Sequence, residues 1–417
     1  MSLVKFPPLC QHLGEHEPFH AGWLYAAATK MLESAQEMIN LCVAIPYSGR
    51  NLEKYNVNDV TYYLVPVRHI ATKTPTMVRL CQEVIDLFNP DIIHIHGTEF
   101  SLAAAMCEAN GKHRPIIASI QGLADAYTRY ADGGISLKNK LINITPLDIY
   151  RGTYMLTARK RFARRGVNEI AIVRGLTDII GRTDWDRIHV ESINPEIHYH
   201  FCNETLRPSF YESKKWTLAD CDRYSVFVSN SGEPLKGAHQ IICALPFLIS
   251  KYPDIKVRII GRNVLSNKSC DLIHFMGYQL YLRRLICRLG VKDYVEFLGA
   301  LSEQEMRDAF IRANVYALTS CIENSPNSLC EAQIIGTPVV ASYVGGVPSL
   351  VENGKTGLLY RYEEYEMLAA HIAKIFDSSD HELRTMSEAE IAVATTRHEG
   401  INNAQTLTDI YQSILKR

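Results

Sequence analysis

The sequence has 417 residues, of which 47% are apolar and 21% charged, and its formal net charge is −1. Two domains of roughly 200 residues each are expected, because a single core does not fill such a length, and the balanced charge argues against nucleic acid as a partner. Eleven Cys are scattered without C-x-x-C spacing, which is typical of free thiols in the cytoplasm rather than of disulfides or a zinc site. Neither a signal peptide nor a membrane-spanning stretch is recognised, so we expect a cytoplasmic protein that is at most peripheral to a membrane.

Short β-branched runs alternate with longer amphipathic segments in the first half, which indicates α/β units with parallel sheets. Strands are predicted at Leu41–Ile45, Thr61–Val65, Ile92–His96, Ile116–Ile120 and Asp178–Arg182. A doubly wound domain usually opens on an apolar central strand, yet only Met1–Phe6 precede Pro7-Pro8. We therefore expect either an unusually short first strand or missing first residues, and in the second case a weakened domain centre.

The second half shows the same alternation. Its strands are predicted at Ser225–Ser229, Lys256–Ile260, Val295–Leu298, Val315–Thr319, Val339–Ser342 and Gly357–Tyr360. The stretch from Asn194 to Trp216 breaks the pattern and is interpreted as a linker. We predict a first domain over residues 1–205, a second over 206–398 and a final helix over 399–417.

The stretch from Glu323 to Glu331 places two acids eight positions apart around a short polar loop. A helix is expected to begin near Asn327-Ser328, so that Glu331 lies in its first turn. A helix N-terminus with free backbone N–H groups suits a diphosphate, and a carboxylate one turn in accepts hydrogen bonds from sugar or ribose hydroxyls. The alternative is an ordinary strand-loop-helix connection with a capping acid.

Lys236-Gly237 follows a predicted strand and opens the next helix. A lysine there can pair with phosphate oxygens, although alone it is more often a solvated loop residue. Gly345-Gly346 follows another strand, where paired glycines serve either a close approach to a ligand or a tight turn.

Three positions in the first half are candidates for contact with a ligand. His96 and Gln121 each end a predicted strand and are expected to face the same cleft, while Gly22 opens the first helix and offers a close backbone approach. A lone His at a strand end is more often structural than catalytic.

Two Asp-x-Asp sequences, Asp184–Asp186 and Asp220–Asp222, are candidates for a divalent-cation site. The first is interpreted as a capping box with Thr183 as N-cap, and the second lies at the end of the linker, so no metal site is predicted.

Residues 159–165 carry five basic side chains and no acid. They form either a solvated helix face or a docking site for anionic lipid headgroups.

Taken together, these motifs resemble family 4 of the retaining glycosyltransferases, over nearly the whole chain. The resemblance is most specific in the second half, at Lys236-Gly237, Glu323 with Glu331, Gly336–Val340, Gly345–Pro348 and Asn353–Gly357. In the first half Asp91–Gly97 and Gly181–Arg187 also look like family segments. The resemblance implies the GT-B architecture, in which two doubly wound, Rossmann-like domains face a central cleft and a last helix, here around Ala404–Leu415, crosses back to the first domain.

The family implies a nucleotide-sugar donor, with UDP as the expected nucleotide, and a saccharide or lipid-linked saccharide acceptor, as in surface polysaccharide or glycan biosynthesis. Transfer would retain the anomeric configuration without a metal or another cofactor. By resemblance, Glu323 contacts the donor sugar, Glu331 the ribose and Lys236 the diphosphate. The residues expected in catalysis are Glu323, Lys236, Gln121 and His96. The residues expected to bind the donor are Glu331, Lys236, Asn324, Ser325, Asn327, Ser328, Leu329, Arg262 and Gly22.

Two positions depart from the family pattern. Asn230 stands where the family often has an Arg, and Gln121 where it often has a His. Arg262 could supply charge from another side. Two alternatives stay open: a nucleotide-sugar epimerase or phosphorylase of the same fold, and a non-catalytic nucleotide-sugar-binding scaffold.

Overall fold

The structure is a computed structural model that describes residues 4–16, 22–34, 39–67, 73–152, 154–266 and 274–417. Contacts divide the chain into two compact units. Unit 1 comprises Met1–Ala126, Ala163–Arg207 and Arg397–Arg417, and unit 2 comprises Tyr127–Phe162 and Pro208–Thr396. The segment 127–162 therefore belongs with unit 2, although the sequence assigned it to the first domain.

The described residues of unit 1 form two sheets with strand orders β1-β3-β2 and β4-β5-β6-β7. The strands are β1 Leu41–Tyr47, β2 Glu53–Val57, β3 Val60–Pro66, β4 Ile93–His96, β5 Ile116–Ser119, β6 Asp178–Gly181 and β7 His198–Phe201. All pairings are parallel except that of β2 with β3.

Strands β2 and β7 were not predicted. The hairpin of β2 and β3 turns at Asn58 and Asp59, both with positive φ, which these residue types tolerate. β7 pairs with β6 inside the stretch interpreted as a linker, so that interpretation was wrong for residues 198–201. Its sequence, His-Tyr-His-Phe, lies partly exposed and carries no apolar run by which it could be recognised.

A cavity of about 540 Å³ lies between β1 and β4. Leu41–Ala44 of β1 and Ile93 of β4 line it, together with the last helix of the chain. Among the described residues, no strand pairs with the edge that β1 or β4 turns to this cavity. Residues 4–6 form no strand, and the rest of Met1–Phe6 lies outside the described residues.

The part of unit 2 that the structure describes forms one parallel sheet of six strands in the order β10-β9-β8-β11-β12-β13. They are β8 Asp222–Val228, β9 Lys256–Ile260, β10 Val295–Gly299, β11 Ala313–Leu318, β12 Val339–Ser342 and β13 Leu358–Tyr360. All six were predicted. β11 and β12 are buried along their whole length, as expected of central parallel strands covered on both faces. The direction of winding reverses between β8 and β11.

Helices connect these strands. Pro75–Phe88 shows why: Thr74 caps its first turn, Pro75 fixes the entry, and apolar side chains at helical spacing are buried. In the described residues the α-helices are Pro7–Leu13, Gly22–Ser34, Pro75–Phe88, Ser101–Asn110, Ala124–Tyr127, Leu137–Ile142, Pro146–Arg151, Ala158–Gly175, Asp184–Ile193, Pro208–Tyr211, Ala238–Ile249, Gly277–Leu289, Glu303–Arg312, Asn327–Ile335, Tyr365–Asp377, Asp380–Arg397 and Gly400–Leu415. The last of them packs against Gly22–Ser34 within unit 1. None of the described helices has the length and apolar content needed to cross a bilayer.

Candidate functional site

The loops after β8 and β11 meet at the point where the winding of the unit 2 sheet reverses. Ligands of open α/β sheets bind at such a switch point, beyond the carboxyl ends of the strands. The loop after β8 carries Lys236 and the loop after β11 carries Glu323. Lys236 Nζ lies 2.6 Å from Glu323 Oε1, so the structure brings these two predicted residues into an ion pair.

Backbone contacts hold the two loops together. The N–H of Cys321 donates to Leu235 O at 2.9 Å, and Thr319 Oγ1 donates to Lys236 O at 3.0 Å. Gly237 has φ +66°, and a Cβ on it would lie 1.8 Å from Thr319 O. A glycine is therefore required beside Lys236 for the loops to approach this closely.

Glu323 is fixed from two further sides. Ser320 Oγ donates to Glu323 Oε1 at 2.6 Å, and the N–H of Gly346 donates to Glu323 O at 2.9 Å. Gly345 has φ +49°, and a Cβ on it would lie 2.0 Å from the same carbonyl oxygen. The paired glycines thus serve a close approach of protein backbone, which positions the Glu323 loop.

The Lys236 ammonium stays protonated at neutral pH. Burial lowers its pKa, but the adjacent Glu323 carboxylate outweighs this effect, so the pKa is raised above its usual value. The Lys236 side chain is 29% exposed and that of Glu323 is 8% exposed. A partly accessible cation therefore stands beside a nearly buried carboxylate.

The helix Asn327–Ile335 begins next to this pair. Pro326 is its N-cap residue and provides no side-chain cap, which leaves first-turn N–H groups for an anion. Ser325, Asn327 and Ser328 are half-buried at this end. Glu331 is buried and is the fifth residue of the helix, so it lies just past the first turn, in which it was predicted.

Two residues that were predicted to bind the donor, Leu329 and Arg262, have other contacts in the structure. The Leu329 side chain is in the core and its N–H donates to Pro326 O at 3.0 Å, so Leu329 is already engaged. Arg262 is exposed, donates to His274 O at 2.8 Å and contacts neither Lys236 nor Glu323. Asn324 is buried. Asn230, at the position of the family's Arg, accepts the N–H of Gly232 and closes a turn.

Unit 1 has a group of buried polar atoms at the carboxyl ends of β4 and β5. His96 Nδ1, Thr98 Oγ1, Glu99 Oε2 and Gln121 Nε2 are buried without a hydrogen-bond partner. Each such atom costs about 1–3 kcal/mol when it stays unpaired. Their shared position at one sheet edge indicates a place where ligand hydroxyls could complete the hydrogen bonding.

His96 is held as a neutral ring. Burial lowers its pKa well below the usual value, and the neighbouring His94 ring, 4.0 Å away between centroids, lowers it further. His94 itself contacts Tyr411 OH at 2.5 Å and Ser119 Oγ at 2.7 Å. Gly22 begins the helix that carries Trp23, whose ring lies edge-on to His96.

The Asp-x-Asp sequences have structural contacts. Thr183 and Asp186 form the predicted capping box. Asp220 pairs with Lys214, and Asp222 pairs with Arg258 and Arg312. No group of residues that could hold a metal ion occurs in the part of the chain that the structure describes.

The sequence reasoning missed Ser320 and Tyr316. Tyr316 OH donates to Ser328 Oγ at 2.8 Å and lies 2.9 Å from Ser229 Oγ, which ties the end of β8 to the start of the Asn327–Ile335 helix. A tyrosine within an apolar strand is indistinguishable from a core residue in the sequence, so no signal pointed to it.

Segment 127–162 contacts both the loop after β8 and the loop after β11. Cys321 Sγ lies 3.1 Å from Tyr130 O, and Gly133 packs against the carbonyl oxygen of Pro234. His239 Nε2 donates to Gly133 O at 3.0 Å, and Tyr362 OH donates to the same oxygen at 2.8 Å. The segment therefore supports the loops that carry Lys236 and Glu323.

We expect the contribution of His239 to the stability of the protein to decrease in acid. Burial lowers the pKa of His239 from 6.5 to about 4, so its contribution is complete above the unfolded-state value and is lost as pH falls towards the folded-state value. The loss amounts to about 3 kcal/mol between about pH 7.5 and pH 4. Urea unfolding of wild type and His239→Gln at both pH values measures it, because glutamine keeps a donor and does not titrate. An equal acid loss in both proteins would contradict the prediction.

Residues 211–391 match the family model described as Glycosyl transferases group 1. The D-inositol 3-phosphate glycosyltransferase of Corynebacterium urealyticum is 29% identical over 185 residues, which are 43% of this chain and 41% of that protein. The phosphatidylinositol N-acetylglucosaminyltransferase gpi3 subunit of Schizosaccharomyces pombe is 22% identical over 94% of this chain and 76% of its own length.

Two solved structures resemble nearly the whole chain. Sucrose-phosphate synthase from Thermosynechococcus elongatus has a TM-score of 0.69 at 15% identity, covering 93% of this chain and 91% of that one. Anabaena HepE in complex with UDP and glucose has a TM-score of 0.65 at 16% identity, covering 95% and 97%. The chain therefore has the GT-B fold, and its residues 211–391 form a domain of the group 1 glycosyl transferase type.

Proposed function

We propose that this protein is a cytoplasmic glycosyltransferase that moves a sugar from a UDP-sugar to a saccharide or lipid-linked saccharide acceptor, in glycan or surface polysaccharide biosynthesis. The observation that carries the proposal is the ion pair of Lys236 and Glu323 beside an uncapped helix N-terminus at the switch point of the unit 2 sheet. The group 1 domain and the UDP bound to HepE support the donor class.

Each residue has a role in this reaction. The barrier lies in separating a charged diphosphate from the sugar, and fixed cations and N–H dipoles stabilise that charge as it develops. Lys236 and the N-terminus of the Asn327–Ile335 helix supply this stabilisation without a metal. Glu323 binds the donor sugar and Glu331 the ribose hydroxyls. We further propose that transfer retains the anomeric configuration, as the family resemblance implies.

The acceptor is proposed to bind unit 1. The unpartnered atoms of His96, Thr98, Glu99 and Gln121 offer donors and acceptors for sugar hydroxyls. The neutral His96 ring and the Gln121 amide orient the acceptor without adding charge. Residues 159–165 are proposed to touch a membrane surface, which suits a lipid-linked acceptor.

Donor binding tests the proposal. We expect calorimetry in EDTA, with UDP, GDP, ADP, CMP and their sugar conjugates, to show metal-independent binding of the uridine ligands. Glu331→Ala should weaken it about tenfold to a hundredfold, because carboxylate–hydroxyl hydrogen bonds are lost. Glu352→Ala, which removes an exposed carboxylate of the same unit, serves as the control. If no nucleotide binds, the chain is a scaffold of another kind; if UDP-sugar is consumed without an acceptor, an epimerase or phosphorylase is favoured.

A further inference from the structure

Exposed apolar side chains concentrate in one stretch of unit 2. Of the sixteen large apolar side chains that are exposed in the described part of the chain, seven lie between residues 130 and 156. They are Tyr130, Leu137, Leu141, Ile142, Ile149, Tyr150 and Leu156, and we call them the outer face. Tyr150 is 88% exposed. Single exposed apolar residues are ordinary, whereas a group within one short segment marks an interaction surface.

This exposure does not come from a detached segment. Between residues 136 and 152 the buried residues are the polar Asn143, Thr145 and Asp148. Asp148 Oδ2 accepts the N–H of Gly277 at 2.9 Å, and an Arg284 guanidinium N–H donates to Ile142 O at 2.6 Å. The segment is therefore held by polar contacts on its inner side, and its apolar side chains are left outside.

The two helices of this stretch show the same arrangement, with polar side chains buried and apolar side chains exposed. In the helix Pro146–Arg151, Asp148 is buried and Tyr150, two positions on and about 200° around the axis, is exposed. In the helix Leu137–Ile142, Leu137 and Leu141 lie four residues apart on one exposed face. An ordinary surface helix has the opposite arrangement, with apolar side chains turned towards the core.

The exposed charges of this segment have one sign. Between Arg129 and Arg161 the sequence has seven basic residues and two acids, Asp132 and Asp148. Both acids are buried, and Asp132 is paired with Lys140 and Arg159. Lys138, Arg151 and Lys160 are exposed. What remains outside is apolar and cationic, which complements an anionic interface with an acyl interior.

We propose that the outer face docks unit 2 on the anionic surface of a lipid bilayer. Leu141, Ile149 and Tyr150 enter the headgroup boundary, and the exposed basic side chains contact lipid phosphates. The proposal deepens and rests on the proposed function, since the same segment is fastened at Tyr130 and Gly133 to the loops of Lys236 and Glu323. Docking would thus hold the donor site close to lipid-linked acceptors.

Sedimentation of the full chain with vesicles tests this surface. We expect wild type to sediment with phosphatidylglycerol–phosphatidylcholine vesicles at low salt and to stay in solution with phosphatidylcholine alone. Leu141→Ser/Ile149→Ser/Tyr150→Ser should weaken binding about a hundredfold, because the inserted apolar area is lost. Leu87→Ser/Ile188→Ser/Phe247→Ser, which changes three exposed apolar residues elsewhere, is the matched control and should bind as wild type does.

Substitution of the exposed basic residues is the second part of the experiment. Lys138→Gln/Arg151→Gln/Lys160→Gln should weaken binding about tenfold or more and reduce its salt dependence. Wild type that stays in solution, or an outer-face variant that binds as wild type does, would overturn the proposal. So would a wild-type dimer that the outer-face variant converts to a monomer in light scattering, because a second copy would then cover this face. UDP binding should be the same in wild type and in every variant. If wild type sediments with the vesicles but does not bind UDP, only the proposed function is rejected.

Discussion

Replacing Lys236 with Met is expected to lower kcat about a thousandfold while changing the dissociation constant of the donor by less than about fivefold. The reason is that charge grows on the diphosphate as the sugar departs, so a fixed cation contributes more in the transition state than in the ground state. The structure places the Lys236 ammonium at the switch point, 2.6 Å from Glu323. Single-turnover rates together with calorimetric donor affinity separate the two effects.

Removing Lys236 also leaves Glu323 as an unpaired, nearly buried carboxylate, which could destabilise the loop by itself. The double variant Lys236→Met/Glu323→Gln removes that charge. Its melting temperature, compared with that of Lys236→Met, therefore shows how much of the damage comes from the unpaired carboxylate. Lys355→Met, which removes an exposed lysine of the same unit, is the control for the substitution. A Lys236→Met protein with full kcat would show that another group stabilises the leaving diphosphate.

Gly345→Ala is expected to destabilise unit 2 by about 2–4 kcal/mol and to abolish transfer. Its Cβ would lie 2.0 Å from Glu323 O, in a backbone conformation with φ +49°. The Glu323 loop would have to move away from Lys236. Urea unfolding and initial rates, measured on the same preparations, report both consequences.

Gly354→Ala separates the two causes in Gly345→Ala. Gly354 also has positive φ, +84°, but a Cβ there would meet nothing within 4 Å. Its replacement should cost only about 1 kcal/mol and leave transfer intact. If the two alanine variants behave alike, backbone conformation rather than crowding against Glu323 governs this loop.

The second half of the chain could be predicted well because its signals are local. Continuous apolar runs gave the strands of unit 2, and turn residues after β8 and β11 gave the loops in which Lys236 and Glu323 meet. Parallel strands bring their carboxyl ends to one edge, so residues 87 positions apart could be expected to converge.

Other features depend on contacts that no local pattern encodes. Segment 127–162 joins unit 2 through backbone carbonyl oxygens, such as those of Gly133 and Ile142, and a carbonyl is the same in every residue. The spacing of Leu137 and Leu141 predicts an amphipathic helix but not that its apolar face points outwards. Arg262 is predicted from its charge and its place at the end of a strand, and no local pattern indicates its hydrogen bond to His274 O.

The cavity between β1 and β4 has a consequence for the cooperativity of unit 1. Within the described residues, no hydrogen-bonded ladder joins the sheet of β1, β2 and β3 to that of β4, β5, β6 and β7. Side-chain packing links them, for example through Ala44, Tyr63 and Ile95 in one shared cluster. Side-chain contacts resist shear less than a continuous ladder does, so the smaller sheet should form a separate opening unit with its own, lower free energy of exposure.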